Sequence, residues 1–327
     1  MKRILSFIIV ITLALGVLCS CDFLPEEIAL CTVEFYVDGE LYTSKTVNIG
    51  TSVTSPREPS KENQIFVGWY TDGLLSYKFD FSGKILADTK LHASFVLDAV
   101  AVTNMLTNQT MKSVVTVKNK CYNTSMGGFI ETSASLSQGS GVVLDISGGY
   151  CYVLTNYHVI DKNEGYSHQT LTVEDPWGAQ YEAKIYKNSR ASSSAMDPEY
   201  DLALIYFAYS PTESHQLLEI AMGQDAAVGD YVASLGSPGA QKNAITYGKV
   251  ISYRKLSSDE EALEDEVKFD IAYHSALIDH GSSGGPLVDH LGRLVGLNFA
   301  GYESNKYGCA IPFSKIEEFL YTYVYIR

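Results

Sequence analysis

Gly281-Ser282-Ser283-Gly284-Gly285-Pro286 is the stretch of this 327-residue chain that decides its fold. Glycines permit the sharp turn and the close backbone approach that an exposed serine nucleophile requires. The N–H groups of Gly281 and Ser283, and less favourably that of Ser282, are candidates for an oxyanion hole, which binds the oxygen that becomes negative during acyl transfer. Glycine-serine turns are common, so this string gains meaning only from partners elsewhere in the chain.

Two other segments supply those partners. A serine hydroxyl is activated at neutral pH by a nearby base, and a third group must orient that base. The apolar run that begins at Tyr152 ends at His158, where a loop begins. Asp201 directly precedes a second apolar run, Leu202–Ile205, and a carboxylate at such a place needs a partner. The sequence therefore predicts Ser283 as nucleophile, His158 as base and Asp201 as the orienting group.

Five segments in this order resemble the trypsin-like serine proteases, and within them the HtrA/Deg branch. They are residues 139–143 (GSGVV), 154–159 (LTNYHV), 201–204 (DLAL), 281–288 (GSSGGPLV) and 308–312 (GCAIP). The resemblance covers residues 113–327. It implies an all-β protease domain of two six-stranded barrels, with the triad in the cleft between them and protein or peptide substrates. Recurring short apolar runs with turns between them agree with this fold.

A helix is expected at the end of the chain. Pro312 is able to open it, and the apolar residues that follow fall at helical spacing: Ile316, Phe319, Leu320 and Tyr323.

The resemblance also carries expectations about specificity and activation. Leu277 is expected near the base of the pocket for the residue before the cleaved bond, called P1, and a small or medium apolar P1 residue is therefore predicted. The strand Asn298-Phe299-Ala300 is expected to pair with the substrate backbone, and the remaining predicted lining residues are Ile278, Gly301 and Cys309. Ser282 replaces the aspartate that pairs with a new N-terminus in trypsin, so no such activation is expected. No PDZ-like segment follows the barrels, and regulation through such a module is not expected.

The first 21 residues resemble a bacterial lipoprotein signal. Lys2-Arg3 precede an uncharged run from Ile4 to Ser20, which is short for a membrane span. Leu18-Cys19-Ser20-Cys21 resembles a lipobox, which predicts cleavage after residue 20, lipid on Cys21 and attachment to a membrane of the bacterial cell envelope. An ordinary secretory signal and an uncleaved anchor are the alternatives. Residues 21–30 are interpreted as a tether.

Residues 31–97 form a separate unit in the sequence. Thr32–Val37 and Leu41–Ile49 flank Asp38-Gly39, which predicts a hairpin, and further β runs are predicted at Ile65–Tyr70, Tyr77–Phe81 and Leu91–Val96. The pattern resembles the internalin-type B-repeat, a small β-grasp-like module of bacterial surface proteins. The resemblance implies a spacer or a surface that binds a partner, with the spacer favoured. Residues 98–112 are polar and are predicted to be a linker.

Composition excludes several other functions. The formal net charge of −14 argues against nucleic-acid binding, which needs basic surfaces. Four widely spaced cysteines remain after the signal, so a disulfide scaffold is not expected, although pairing of Cys121 with Cys151 stays open. No CxxC or HExxH pattern occurs, and no metal or other cofactor is predicted.

Two alternatives to a protease follow from the same residues. A non-catalytic surface-binding or adhesion protein on a protease fold would agree with the N-terminal repeat, but it would have no use for the triad. An esterase of the hydrolase fold would need a strand-turn-helix elbow around Ser283, and that pattern is missing.

Overall fold

The computed structural model describes residues 29–128, 130–187, 194–237, 243–256, 267–302 and 307–324. The chain divides into two compact units. Unit 1 contains residues up to 60 together with 66–96, and unit 2 contains residues 61–65 together with 97–327. The predicted signal peptide and the lipidation site Cys21 lie outside the described residues, as does most of the predicted tether.

Unit 1 is built on a four-stranded sheet in the order β2-β1-β4-β3. The strands are β1 (Leu30–Val37), β2 (Glu40–Asn48), β3 (Gln64–Tyr70) and β4 (Thr89–Leu97). Alternate residues of β1, including Val33 and Phe35, are buried, because successive side chains of a strand point to opposite faces. Asp38 and Gly39 both have positive φ, +52° and +83°, as a tight hairpin turn requires.

One predicted strand of unit 1 is wrong. Residues 77–81 form no regular strand, and only an isolated bridge joins Lys78 to Tyr70. The aromatic side chains of this segment pack against the core of unit 1, where the rings of Phe79 and Phe81 lie edge to face at 4.8 Å. The aromatic alternation reflected core packing and not strand pairing.

Unit 2 contains two six-stranded barrels, which confirms the predicted all-β double-barrel fold. The first barrel closes through pairing of β11 with β9, and the short β10 (Met196–Asp197) extends its edge. Its strands are β5 (Val114–Ser125), β6 (Ile130–Ser147), β7 (Tyr150–Thr155), β8 (His168–Glu174), β9 (Gln180–Ile185) and β11 (Leu202–Ala208).

The second barrel closes in the order β12-β13-β14-β17-β16-β15. Its strands are β12 (Tyr231–Gly236), β13 (Ala244–Arg254), β14 (Ile271–His274), β15 (Pro286–Asp289), β16 (Leu294–Tyr302) and β17 (Tyr307–Pro312). One apolar cluster joins the two barrels, with Leu154 and Leu204 from the first and Leu235 and Leu297 from the second. Burial of these side chains holds the barrels together, and so fixes the cleft between them.

Three α-helices accompany the strands in the described residues. They are α1 (Ala99–Asn108), the single turn α2 (Tyr157–Ile160) and α3 (Phe313–Tyr323). Helix α3 confirms the predicted terminal helix, since Pro312 caps it and Ile316, Phe319 and Leu320 are buried. Among the described residues, no helix combines the length and the apolar character needed to cross a membrane.

Helix α1 overturns the linker predicted for residues 98–112. The Asp98 carboxylate accepts hydrogen bonds from the N–H groups of Val100 and Ala101 and so caps the helix. Val102 and Leu106, four residues apart on one face, are buried in the cluster that joins the barrels. The segment is therefore a packed element of unit 2.

The cysteines of the described residues are buried thiols. Cys121 and Cys151, whose pairing the sequence left open, are not joined by a disulfide. Burial raises the pKa of the Cys151 thiol to about 12, which makes it unreactive at neutral pH.

Candidate active site

His158 and Asp201 form a tightly defined pair at the edge of the first barrel. His158 Nδ1 lies 2.8 Å from Asp201 Oδ2, and the backbone N–H of His158 donates to Asp201 Oδ1 at 3.0 Å. The Asp201 side chain is 1% exposed, whereas that of His158 is 34% exposed. A carboxylate accepts hydrogen bonds, so Nδ1 carries the proton and Nε2 is left to take one from a nucleophile.

The residues around this pair explain its geometry. Asp201 has a φ of +50°, a left-handed conformation that aspartate tolerates better than most residues. Its carbonyl accepts hydrogen bonds from Asn156 Nδ2 at 2.9 Å and from the N–H of Tyr157 at 3.1 Å. The segment Asn156–His158 therefore holds the backbone of Asp201 as well as its carboxylate.

Ser283 lies in the turn that precedes β15, which we call the nucleophile loop (residues 279–285). Gly281 has a φ of +96° and Gly284 one of +83°, so both glycines are needed for the turn. The N–H of Ser282 donates to the Asp279 carbonyl at 2.9 Å, and the N–H of Asp279 donates to Ser282 Oγ at 3.2 Å. The prediction that the Ser282 N–H is an oxyanion donor is therefore wrong, because this N–H already donates to a carbonyl within the loop.

The Ser283 hydroxyl is held by strand β16. Ser283 Oγ donates to the carbonyl of Phe299 at 3.2 Å. Phe299 lies at a β-bulge, since Asn298 pairs with Ala310 and Ala300 with Cys309, which leaves no partner position for it on β17. Bulges redirect backbone groups beside active sites. Attack on a substrate requires the hydroxyl to turn from this carbonyl toward His158 Nε2.

Gly139 and Thr155 bring the histidine segment close to the nucleophile loop. A Cβ on Gly139 would come within 2.8 Å of both the Ser283 carbonyl oxygen and the Val159 side chain, which follows His158. Thr155 Oγ1, three residues before His158, donates to the carbonyl of Ser140 at 2.7 Å, and the N–H of Ser140 donates to the carbonyl of Ser283, also at 2.7 Å. The two halves of the site are joined through strand β6.

The structure corrects three of the predicted substrate-binding residues, Leu277, Asn298 and Cys309. Leu277 is 60% exposed in the loop that follows β14, and so it is not the base of a pocket. Asn298 is fully buried, and its backbone cannot pair with a substrate, because its carbonyl accepts from the N–H of Gly284 and its N–H donates to the carbonyl of Gly285. The side chain of Cys309 lies in the core between the barrels. The side chain of Phe299 also lies in that core, but its carbonyl accepts from Ser283 Oγ, so pairing of its backbone with a substrate stays a prediction.

The predicted contacts of Ile278, Ala300 and Gly301 with a substrate also stay predictions. Ile278 and Ala300 are half-buried, and the backbone of Gly301 pairs with Gly308 on β17. A Cβ on Gly308 would come within 3.0 Å of Ile278 Cδ1 and 2.8 Å of His274 Nε2. Glycine at position 308 therefore leaves room for the side chains of Ile278 and His274.

Sequence reasoning missed three contributors to the site. Asn156 fixes the Asp201 carbonyl, the carbonyl of Phe299 receives the nucleophile's hydroxyl, and Ser140 contacts the nucleophile loop. The glycines on both sides of Ser140 were a signal of close packing, but its partners are distant in sequence. A bulge such as that at Phe299 has no sequence pattern of its own.

Two family models match this chain. Residues 139–297 match the family model of the trypsin-like peptidase domain. Residues 32–94 match the model of the Listeria-Bacteroides repeat domain.

Curated relatives match the same part of the chain. Serine protease HTR4 of Rattus norvegicus is 33% identical over 187 residues, which are 57% of this chain and 34% of the relative. Serine protease HTRA3 of Homo sapiens is 31% identical over 186 residues, 57% of this chain and 38% of the relative. The chain spans about a third of the length of these relatives. A crystal structure of the serine endoprotease from Yersinia pestis has a TM-score of 0.45 and 26% identity, and the match covers 66% of this chain and 64% of that one.

Proposed function

We propose that this chain, which carries a trypsin-like peptidase domain with HtrA serine protease homologues and a Listeria-Bacteroides repeat domain, is a serine endopeptidase. Its substrates are proteins or peptides. The observation that carries the proposal is the buried Asp201 carboxylate, both oxygens of which accept from His158, together with the glycine turn of Ser283, which Ser140 joins to the histidine segment. A protein that only binds partners gains nothing from this arrangement.

The reaction follows from the positions of these groups. Ser283 Oγ attacks the carbonyl carbon of the peptide bond as its proton passes to His158 Nε2. Negative charge moves to the carbonyl oxygen, which the N–H groups of Gly281 and Ser283 stabilise. His158 then gives the proton to the leaving amine as the C–N bond breaks, and water releases the acyl group from Ser283 by the reverse sequence.

A peptide library tests the activity and the specificity together. The wild-type protein and Ser283→Ala are incubated with the library, and the products are identified by mass spectrometry. Cleavage by the wild type that is lost in Ser283→Ala supports the proposal. If the wild type cleaves nothing, or if both proteins cleave alike, the chain is not a serine endopeptidase of this type.

We further propose that P1 is a small or medium apolar residue. The support is the apolar, half-buried side chains of Ile278 and of Ala300, which follows Phe299, the residue whose carbonyl holds Ser283 Oγ; a lysine or arginine side chain buried against apolar surface would lose hydration. The library should therefore show cleavage after Val, Ala or Leu. Efficient cleavage after Lys or Arg, with poor cleavage after apolar residues, contradicts this preference.

The N-terminal sequence supports a further proposal, that lipid on Cys21 attaches the enzyme to a membrane of the bacterial cell envelope, outside the cytoplasm. The support is the Leu-Cys-Ser-Cys pattern after an apolar run. Metabolic labelling with a radioactive fatty acid, followed by membrane fractionation, tests it. Label should be lost in Cys21→Ser and kept in the matched variant Cys19→Ser. Equal labelling of both variants, or none in the wild type, overturns the proposal.

For residues 31–97 we propose the role of a spacer between the membrane and the peptidase domain. A surface that binds a partner is the second reading. Deleting the repeat in the anchored protein should leave cleavage of a soluble peptide unchanged.

A further inference from the structure

We propose that Ser140 is the positioning residue that keeps the oxyanion hole open. This inference rests on the proposed peptidase function and deepens it, because it assigns a role in transition-state stabilisation to a serine outside the triad. Ser140 lies on β6 of the first barrel, whereas the nucleophile loop belongs to the second.

Ser140 makes four hydrogen bonds outside the ladder of its own sheet. Its Oγ donates to the Gly281 carbonyl at 2.7 Å and accepts from the N–H of Ser237 at 3.1 Å. Its backbone N–H donates to the Ser283 carbonyl at 2.7 Å, and its carbonyl accepts from Thr155 Oγ1 at 2.7 Å. One buried residue thus binds the loop, the histidine segment and the end of β12.

Two of these bonds hold the residues that carry the proposed oxyanion donors. They hold the carbonyls of Gly281 and Ser283, and the N–H groups of these same residues are the proposed oxyanion donors. A fixed Gly281 carbonyl cannot turn toward the place where the substrate oxygen becomes negative. Because Gly281 is a glycine at φ +96°, its own backbone gives little resistance to such a rotation. The restraint has to come from a partner, and the Ser140 hydroxyl supplies it.

Other contacts hold different parts of the loop. Ser282 and Asp279 bond to each other inside the loop, and Asn298 accepts from the N–H of Gly284 and donates to the carbonyl of Gly285. These bonds shape the turn and attach its end to β16. Among the described residues, the hydrogen bond to the Gly281 carbonyl comes from Ser140.

The surroundings of Ser140 are closely packed. A Cβ on Gly284 would overlap the Ser140 carbonyl, and one on Gly236 would come within 2.9 Å of Ser140 Oγ. The Ser140 side chain is fully buried. Removing its hydroxyl would therefore leave the Gly281 carbonyl and the Ser237 N–H without this partner in a crowded interior, which favours rearrangement of the flexible glycine.

The test compares Ser140→Ala with Thr116→Val in the full chain. Thr116 Oγ1 bonds to Ser237 Oγ at 2.9 Å, so Thr116→Val removes a buried hydroxyl nearby without touching the nucleophile loop. The first readout is the rate at which a fluorophosphonate probe modifies Ser283, because the phosphoryl oxygen occupies the oxyanion hole whatever the substrate specificity is. The second is the pH midpoint of that rate, which reports the His158 base.

We expect Ser140→Ala to react roughly 10- to 100-fold more slowly, somewhat less than the loss for removing a hole donor itself. Its pH midpoint should match the wild type, and Thr116→Val should keep both values. A Ser140→Ala rate near that of the wild type overturns the proposal. So does a shift of the pH midpoint that accompanies the slower rate, because Ser140 would then support the whole site and not the hole.

A crystal structure of Ser140→Ala gives a readout that needs no activity. The proposal expects the Gly281 carbonyl to leave its wild-type orientation, and a loop that superimposes on the wild type contradicts it. If the wild-type protein fails to react with the probe at all, the proposed peptidase function fails, while the crystal structure still decides whether Ser140 positions the loop.

Discussion

At the scale of single residues, Asp201 combines features that are each costly and together useful. Its carboxylate is buried and its backbone is left-handed, and both are stabilised by the segment Asn156–His158. Burial of a charge is tolerated here because both of its oxygens accept hydrogen bonds from one residue. Strain and burial at a functional position are therefore balanced by a short stretch of neighbouring chain.

Replacing Asp201 by Asn should nearly abolish activity while the fold survives. The amide of Asn keeps the shape of the side chain but favours the wrong tautomer of His158, since its NH₂ group would face Nδ1. We expect kcat to fall roughly 10⁴-fold. Peptide hydrolysis measures the loss, and a thermal melt like that of the wild type shows that the protein is folded. A variant with more than about a tenth of wild-type activity would mean that Asp201 does not set the tautomer.

His274 should make the protein less stable in mild acid. Burial lowers the pKa of this fully buried side chain from 6.5 to about 4, against an opposing effect of Asn298. The unfolded chain therefore binds a proton that the folded chain does not between these pH values. The free energy of unfolding should fall as pH falls from about 6.5 to about 4, by on the order of 3 kcal/mol in total.

Urea unfolding across this pH range measures the effect of His274. The control is His274→Gln, which is polar and does not titrate, so its stability should depend less on pH than that of the wild type. Equal slopes for the two proteins would show that His274 does not cause the loss.

Residue identity was the most predictable part of the site. Serine, histidine and aspartate could be assigned because each requires a distinct local setting, a glycine turn or the end of an apolar strand. Ser140 could not be assigned, because Gly281, the partner of its hydroxyl, lies 141 positions away along the chain. The exposed Leu277 shows the same limit, because the exposure of a loop residue depends on contacts with distant parts of the chain, such as the bond from Thr246 of β13 to its carbonyl.

At the scale of elements, helix α1 shows how a short segment is integrated into a larger core. Asp98 caps the helix, and Val102 and Leu106 meet the side chains of both barrels in one cluster. The polar residues that suggested a linker lie between these buried positions. Val102, Met105 and Leu106 have the spacing of one helix face in the sequence. Three apolar positions among polar residues are a weak signal of a helix, and so the segment resembled a linker.

Leu106→Ala should therefore destabilise unit 2. Leu106 is fully buried, and its truncation would leave a cavity that costs about 2–5 kcal/mol. Chemical denaturation measures the change. The control is Val100→Ala on the same helix, because Val100 is 71% exposed and its substitution should cost less than about 0.5 kcal/mol. If Leu106→Ala is as stable as the wild type, helix α1 does not contribute to the core, and residues 98–112 are better described as a linker.

At the scale of the whole molecule, each unit has its own apolar core. Unit 1 is centred on Phe35 and Trp69, whose rings meet edge to face at 4.9 Å. In unit 2 each barrel has an apolar cluster of its own, and a third cluster joins the two barrels. The existence of both units was predictable, because hairpin and strand signals recur locally. Residues 61–65, which interrupt unit 1, were not, since their assignment depends on contacts remote in sequence.

Phe35→Ala should unfold unit 1 selectively. The loss of about 3–5 kcal/mol expected for a buried phenylalanine is large for a unit of this size. Trp69 reports the event by fluorescence once the other tryptophan, Trp177, is replaced by Phe. The rate of Ser283 modification should not change. Loss of that rate together with the Trp69 signal would show that the two units do not fold independently.

The central claim, that Ser283 is a nucleophile activated by His158 and Asp201, is tested most directly by locating the modified residue. The protein is treated with a fluorophosphonate, digested and mapped by mass spectrometry. We predict one adduct, on the peptide that contains Ser283, which is absent in Ser283→Ala and strongly reduced in His158→Ala. An adduct on another residue that persists in Ser283→Ala, or no adduct in the wild type, would contradict the claim.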